Sequence, residues 1–387
     1  LTFSDSVQGA AHCAGFYGAR TWRTNLRLAM LQLIRRWEEE RPTEPLSLAA
    51  LADNLSESWK DQLDEATWVS TFLAPNMYWL HDWGLLKSSG EVPDDSNLDR
   101  LIARRLAYEA CTEFGMQAEI GRSLPRTGAA TVLPDPARLE AAVAAMLEPL
   151  RNEVPGLRDV DLATVRHFVA GLLYHLRTRG GILPGSLPHA YVDTGGRHYG
   201  AFKETNALPI YGKRSRLPEL LTDSSRTARF ETWVGRTETS WYVRWVARCF
   251  GAKKAITADA ASTYPVVLAR LVKAGLLAER IGQKNEQFWG LDERGLLVSA
   301  KVTGMACDRC GHRTHVGSRE VESWTGLPCL TLCCSGRYGV DAAPPQDYFG
   351  RLYASGDLAR IFTEEHTGLL SREDRERVEQ EFKARAG

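Results

Sequence analysis

A short segment with five cysteines contains the residues of this sequence best suited to chemistry. Cys307 and Cys310 form one closely spaced pair, and after eighteen intervening residues Cys329 is followed by Cys333 and Cys334. Zinc binds four thiolate or imidazole ligands in a tetrahedron, and two short-spaced pairs joined by a loop of this length can converge on one ion. The spacing predicts a small zinc site of the ribbon type.

The fourth ligand is predicted to be Cys334 rather than Cys333. Ser335-Gly336 follows Cys334 directly and supplies the small, flexible residues that a metal-binding turn needs. His312 and His315 lie close by as substitute ligands, but four cysteines are sufficient, so we interpret both as surface residues. A catalytic zinc keeps an open position beside a carboxylate base, and no such arrangement is present, so we expect a structural Zn²⁺.

The region before the cysteines carries a pattern of helices and strands. It predicts a helix with Trp241, Trp245 and Cys249, a short helix after Thr257, a third helix from Tyr264 to Ala274, and strands 277–281 and 287–291 joined by a polar turn. Three helices followed by a β-hairpin describe a winged helix. In that fold the third helix commonly enters the major groove and the hairpin touches the DNA backbone.

Four basic residues of this region are therefore predicted phosphate contacts: Arg270 and Lys273 on the third helix, and Arg280 and Lys284 on the hairpin. Residues 195–254 add a basic stretch, with twelve Lys or Arg against five Asp or Glu. Its aromatic residues could stack the bases of a single strand, although such residues are more often part of a core. The alternative is that the winged helix docks a protein and these cations are only solvated.

Helical patterns surround this region. Residues 1–3 predict a strand, followed by a polar turn, a small-residue helix and a second helix from about Thr21 to Pro42. Residues 43–190 are mostly helical, with Asp135 and Asp161 predicted as N-caps. Residues 183–225 are rich in Pro, Gly and Tyr and predict a long ordered loop region or an extended surface segment.

Composition limits the function classes. Lys plus Arg equals Asp plus Glu at 48 each, so any attraction to nucleic acid must come from local patches. No apolar run approaches the roughly 18 residues that span a bilayer, which predicts a cytoplasmic protein with no membrane partner. Because the chain begins with Leu, we expect it to be a piece of a longer polypeptide or a processed product. It carries no phosphate-binding loop: Gly212-Lys213-Arg214 lacks the glycine-rich turn and the hydroxyl residue.

Both ends of the chain resemble one family. Residues 1–11, Leu-Thr-Phe-Ser-Asp-Ser-Val-Gln-Gly-Ala-Ala, resemble the strand and turn that open the second motor domain of superfamily 2 helicases of the DNA-repair and anti-phage defence type. Residues 365–375, Glu-His-Thr-Gly-Leu-Leu-Ser-Arg-Glu-Asp-Arg, resemble a later strand, loop and helix of the same domain. In that helix Ser371 and Asp374 form a capping box, with Val378 and Phe382 facing inward.

The resemblance implies a DNA-tracking role for the ends. Ser4, Asp5, Ser6 and Gln8 would lie near the tracked DNA strand, and Thr367 and Gly368 would offer backbone N–H groups to a phosphate. The complete enzyme would use ATP and Mg²⁺, but the phosphate-binding loop belongs to the first motor domain, which this chain lacks. The implied partners are DNA, the first motor domain and other repair or defence proteins.

The predicted fold class is mixed and mainly α. A RecA-like α/β domain is predicted to be interrupted by a helical insertion, a winged helix and a zinc ribbon. The predicted segments are 1–41 (start of the second motor domain), 42–225 (helical insertion with the basic loop), 226–303 (winged helix), 304–340 (zinc ribbon) and 341–387 (return to the motor domain). The predicted function is that of an ATP-dependent DNA helicase fragment. The alternatives are a DNA-binding regulator without a motor and an interaction scaffold.

Overall fold

The computed structural model describes residues 7–224, 229–234, 238–251, 257–342 and 348–356, together with residues 372, 373, 376, 379 and 380. Side chains are described from Gly18 onward. About 51% of the chain is helical and 12% lies in strands, which confirms the mixed, mainly α class. Within the described part, no helix has both the length and the apolar character needed to cross a bilayer.

The helices in chain order are α1 (Val7–Glu40), α2 (Leu48–Glu57), α3 (Glu65–Phe72), α4 (His81–Ser89), α5 (Leu98–Phe114), α6 (Pro136–Glu153), α7 (Leu162–Thr178), α8 (His189–Asp193), α9 (Trp241–Cys249), α10 (Thr257–Lys273), α11 (Val321–Trp324) and α12 (Tyr348–Ser355). The strands are β1 (Thr131–Pro134), β2 (Leu221–Thr222), β3 (Glu231–Thr232), β4 (Leu277–Ile281), β5 (Gln287–Leu291), β6 (Leu296–Ser299), β7 (Val302–Cys307), β8 (Arg313–Gly317) and β9 (Tyr338–Val340).

Helix α1 is longer than the sequence pattern predicted. The two helices expected on either side of Thr21 are one continuous helix, because no proline interrupts it before Pro42. Its inner face buries Trp22, Leu26 and Met30, and the Trp22 indole donates to the Phe72 carbonyl at 2.9 Å. The strand predicted at residues 1–3 lies outside the described residues.

Two predicted helix starts are confirmed. The Asp135 carboxylate accepts the backbone N–H groups of Ala137 and Arg138 at the start of α6. Asp161 accepts the Thr164 N–H at the start of α7. Helices α6 and α7 pack against each other, and residues of the last two turns of α7 lie beside the cysteine-rich segment.

The two alternatives predicted for residues 183–225 were a long ordered loop region and an extended surface segment, and the first fits the structure better. The backbone is irregular, with α8, a 3-10 helix at Tyr199–Thr205 and β2. The Tyr191 and Phe202 side chains are buried and pack edge to face at 4.9 Å in a second core, against which the partly buried Tyr199 and Tyr211 also pack. Phe288 of the hairpin joins this core. Aromatic burial therefore ties the segment down where regular hydrogen bonding does not.

The predicted winged-helix region has a helix, a longer helix and a hairpin. Helix α9 and the β4–β5 hairpin lie where they were predicted. The prediction of a short second helix and a separate third helix is wrong, because α10 runs unbroken from Thr257 to Lys273. Pro265 lies on the exposed side of this helix. The hairpin is extended into a four-stranded sheet of order β3-β2-β5-β4 by strands that precede α9.

The main core is continuous from Trp22 on α1 to Tyr353 on α12. Helix α12 was not predicted. The capping box and inward-facing residues predicted after it, Ser371, Asp374, Val378 and Phe382, lie outside the described residues. The cysteine-rich segment forms a separate three-stranded antiparallel sheet of order β8-β7-β9.

Candidate metal centre

Two backbone turns at one end of the β8-β7-β9 sheet hold the cysteines. In the first turn the Cys307 N–H donates to the His312 carbonyl at 2.9 Å and the Gly311 N–H donates to the Cys307 carbonyl at 3.1 Å. In the second turn the Cys329 N–H donates to the Gly336 carbonyl at 2.9 Å, and the Cys334 N–H donates to Thr331 at 2.8 Å. These main-chain hydrogen bonds therefore fix both turns and position their thiols before a metal ion binds.

The structure brings together the four cysteines predicted as ligands. The sulfurs of Cys307, Cys310, Cys329 and Cys334 all lie within 4.8 Å of one another, and the pairs Cys307–Cys334 and Cys310–Cys329 are each 3.6 Å apart. A zinc ion with bonds of about 2.3 Å in a regular tetrahedron keeps its sulfurs about 3.8 Å apart. The cluster could hold a metal ion such as zinc.

Cys333 lies outside the cluster, as predicted. Its side chain is exposed, whereas the Cys334 sulfur accepts the Gly336 N–H at 3.3 Å. A Cβ atom at position 336 would lie 2.5 Å from both the Cys307 sulfur and a carboxylate oxygen of Asp308. The glycine is therefore needed because the two turns approach each other closely at this point.

The two histidines near the cysteines lie outside the sulfur cluster, and neither is a fully exposed surface residue. His312 Nδ1 hydrogen bonds to the Tyr338 hydroxyl at 2.8 Å, which fixes the ring beside the second turn. His315 lies on β8 and packs against Gly128, and burial lowers its pKa. The prediction that both are surface residues is only partly right: both are partly exposed, because Tyr338 holds His312 and the loop 121–130 packs against His315.

Helix α9 is docked on the second turn through two arginines that the sequence pattern did not single out. Arg244 donates to the Leu332 carbonyl at 3.1 Å, and Arg248 donates to the carbonyls of Thr331 at 3.4 Å and Leu332 at 3.1 Å. The sequence does show two arginines four residues apart, which lie on one helix face. It does not show which groups accept their hydrogen bonds, because main-chain carbonyls carry no sequence signature.

A partly buried charge network beside α9 was also missed. The Glu231 carboxylate accepts hydrogen bonds from His175 and from the Tyr242 hydroxyl, each at 2.8 Å, and from Arg179 at 2.7 Å. Burial alone would raise the pKa of Glu231, but His175 and Arg179 outweigh it and hold the pKa at about 2. Nothing in the local sequence indicates a network built from α7, β3 and α9.

The predicted DNA-contacting cations lie on α10 and the hairpin. Lys273, Arg280 and Lys284 are exposed, and Arg270 is half-buried. None of the four forms an ion pair with another described residue. The rest of the exposed face of α10 is made of Ala258, Ala261, Ser262, Pro265 and Ala269.

Several residues of the basic stretch 195–254 serve the fold instead. Arg216 donates to the Thr178 carbonyl at 2.6 Å and Arg229 to the Lys213 carbonyl at 2.7 Å. Trp233 and Tyr242 are buried and belong to the main core, so they are not stacking platforms for bases. Lys203, Lys213 and Arg214 remain exposed.

The site residues carried by the resemblance fall largely outside the described chain. Ser4, Asp5, Ser6, Thr367 and Gly368 are among the residues that the structure does not describe. Gln8 is the second residue of α1, and its side chain is not described.

The sequence matches no model of a protein family, and neither a curated protein nor a solved structure matches the chain.

Proposed function

We propose that this chain is the DNA-binding, strand-tracking part of an ATP-dependent superfamily 2 helicase or translocase, of the repair or anti-phage defence type. Residues 1–41 and 341–387 would be two parts of its RecA-like second motor domain, and residues between them an insertion with a winged helix and a zinc ribbon. The observation that carries the proposal is the meeting of α1 with α12.

Helices α1 and α12 pack together although more than 300 residues of sequence separate their hydrogen-bonded partners. Gln32 donates to the Gly356 carbonyl and Arg35 to the Ala354 carbonyl, each at 3.2 Å. Arg27 contacts the buried Tyr353 hydroxyl at 3.5 Å. An insertion into one domain must leave and re-enter that domain at nearby points. The contact therefore supports the assignment of the two ends to one motor domain.

The surface of α10 and the hairpin supports a backbone-contacting role. Small side chains on the exposed face of α10 would let its main chain approach a duplex closely, and Lys273 extends from the end of that face. Arg280 and Lys284 add exposed cations on the hairpin. This face offers few side chains that hydrogen bond to base edges, so we expect binding with little sequence preference.

Duplex binding by the chain tests the DNA part of the proposal. The triple variant Lys273→Gln, Arg280→Gln, Lys284→Gln should lower affinity and reduce the slope of log K against log salt by about 2.7, because each lost phosphate contact contributes about 0.9. The matched control removes three exposed arginines elsewhere, at positions 100, 104 and 158, with the same change in net charge. Equal losses in both variants would mean that this surface is not the DNA site.

ATPase activity separates the helicase from a motor-free regulator. The chain alone should not hydrolyse ATP, and the polypeptide that also contains the first motor domain should hydrolyse it with Mg²⁺ at a rate that rises when DNA is added. A longer polypeptide without a phosphate-binding loop, or with an ATPase rate indifferent to DNA, would refute the motor assignment. Duplex binding without any ATPase would favour the regulator.

A further inference from the structure

A cavity of about 210 Å³ lies between the C-terminal part of α7, the start of α9 and the two cysteine turns. The lining residues used below are Glu119, Tyr174, His175, Thr178, Trp241 and His312. The cavity adjoins the two cysteine turns, but none of the four sulfurs of the cluster lines it, and neither do the exposed cations of α10 and the hairpin. Its volume fits a small ligand group rather than a macromolecular surface.

The cavity contains a carboxylate that lacks a cationic partner. One oxygen of Glu119 accepts the Tyr174 hydroxyl at 2.5 Å and the Thr314 hydroxyl at 3.3 Å. No hydrogen bond from a described residue reaches its other oxygen, and no described cation forms an ion pair with it. Glu119 is half-buried, so its charge is poorly compensated by solvent.

Glu119 carries the charge of the cavity. It is the one Asp, Glu, Lys or Arg among the residues that line the cavity, and the lining His175 hydrogen bonds to Glu231 at 2.8 Å. Arg177 does not line the cavity: it donates to the Val132 carbonyl at 2.6 Å, and its buried Nε has no hydrogen-bond partner among the described residues. The charge of the lining residues is therefore negative.

The walls favour an organic cation over a metal ion. The described residues bring metal-ligating groups together at the four cysteines, and no second cluster of that kind includes Glu119. The Trp241 and His175 rings stack directly on each other, with their centroids 3.7 Å apart, so a ligand would meet the outside of this stack, and Tyr174 adds a third ring. A planar guanidinium pairs with a carboxylate and packs against aromatic rings, whereas a hydrated metal ion does neither well.

We propose that this cavity binds the guanidinium group of an arginine side chain, with Glu119 as its counter-ion and the Tyr174, His175 and Trp241 rings as its walls. The aromatic rings would pack against the guanidinium, and the hydrogen bond from the Tyr174 hydroxyl holds the carboxylate in place. The proposal does not depend on the helicase assignment, since none of these residues is among the predicted phosphate contacts on α10 and the hairpin.

Calorimetric titration of the whole chain with N-acetyl-arginine methylamide tests the proposal. The matched probe is N-acetyl-citrulline methylamide, which has nearly the same shape but no charge. We expect the arginine probe to bind at least tenfold more tightly than the citrulline probe, with an affinity that falls as salt rises. Equal binding of the two probes, or no binding of either, would overturn the proposal.

Two variants assign the binding to this cavity. Glu119→Gln should weaken the arginine probe at least tenfold, whereas the exposed Glu322→Gln should leave its affinity unchanged. Thr178→Trp fills the cavity from α7 and keeps Glu119, so it should abolish binding even if Glu119→Gln fails to fold. Undiminished binding by Thr178→Trp, or by folded Glu119→Gln, would refute the site.

Discussion

Replacing Cys334 by Ser, with Cys333→Ser as its control, is the sharpest perturbation that the chain offers. The two residues are adjacent and chemically identical, so the variants differ only in which sulfur is lost. The Cys334 sulfur lies 3.6 Å from that of Cys307, whereas Cys333 is exposed and outside the cluster. We expect Cys334→Ser to lose zinc and Cys333→Ser to retain it.

The expected loss of zinc affinity follows from the contribution of one of the four ligands to the binding free energy. A structural zinc site contributes roughly 10–16 kcal/mol of binding free energy at neutral pH, and a quarter of that is about 2.5–4 kcal/mol. Water or the serine hydroxyl recovers a part of the loss. The zinc dissociation constant of Cys334→Ser should therefore rise about 100-fold, which corresponds to about 3 kcal/mol. That of Cys333→Ser should stay within about twofold.

Competition with a chromophoric zinc chelator measures both constants, and metal analysis of the purified chain should return one zinc for the wild type. If Cys333→Ser weakens zinc as much as Cys334→Ser, the second turn exchanges its two cysteines and the assignment of the fourth ligand is wrong. If neither variant weakens zinc, the four sulfurs are not a zinc site.

Three further changes test the packing around the site. Gly336→Ala should weaken zinc more than tenfold in the same competition assay, because its Cβ would lie 2.5 Å from the Cys307 sulfur, and unchanged affinity would contradict the close approach of the turns. Arg27→Met should lower the free energy of unfolding in urea by about 3–5 kcal/mol, because it leaves the buried carboxylate of Glu113 without its ion-pair partner. The control Arg166→Met breaks a more exposed pair and should lower the free energy of unfolding by at most about 1 kcal/mol. Equal losses in the two variants would contradict this difference. Folding lowers the pKa of Glu231 from its ordinary value near 4.5 to about 2. The charged carboxylate therefore stabilises the fold fully above about pH 4.5. This contribution of at most about 3 kcal/mol is lost as the pH falls toward 2. Glu231→Gln should flatten the stability curve in that window, and a curve parallel to the wild type would refute the network.

Features that depend on neighbouring residues could be predicted from the sequence. The caps at Asp135 and Asp161, the β4–β5 hairpin and the cysteine pairs each depend on a few consecutive residues with fixed chemical roles. The preference for Cys334 over Cys333 followed from Gly336, whose small size the close approach of the two turns requires.

Long-range packing could not be predicted in the same way. The division of α1 and α10 into shorter helices failed because changes in composition suggested boundaries where the backbone had no reason to stop. The aromatic core around Tyr191 and Phe202 draws members from well-separated parts of the sequence, so a Tyr-rich stretch without periodicity resembled a surface loop. The cavity beside Trp241 likewise depends on which distant side chains remain without partners.

The contact between α1 and α12 also determines how the protein would bear mechanical load. The chain between the two helices forms a loop of about 300 residues. The loop is closed at its base by hydrogen bonds from the side chains of α1 to main-chain carbonyls at the end of α12. A pull applied through the two helices in opposite directions would be borne first by these bonds. Helix α1 is also tied to residues inside the loop, as by the Arg27–Glu113 ion pair, so part of the load would pass to these inner contacts.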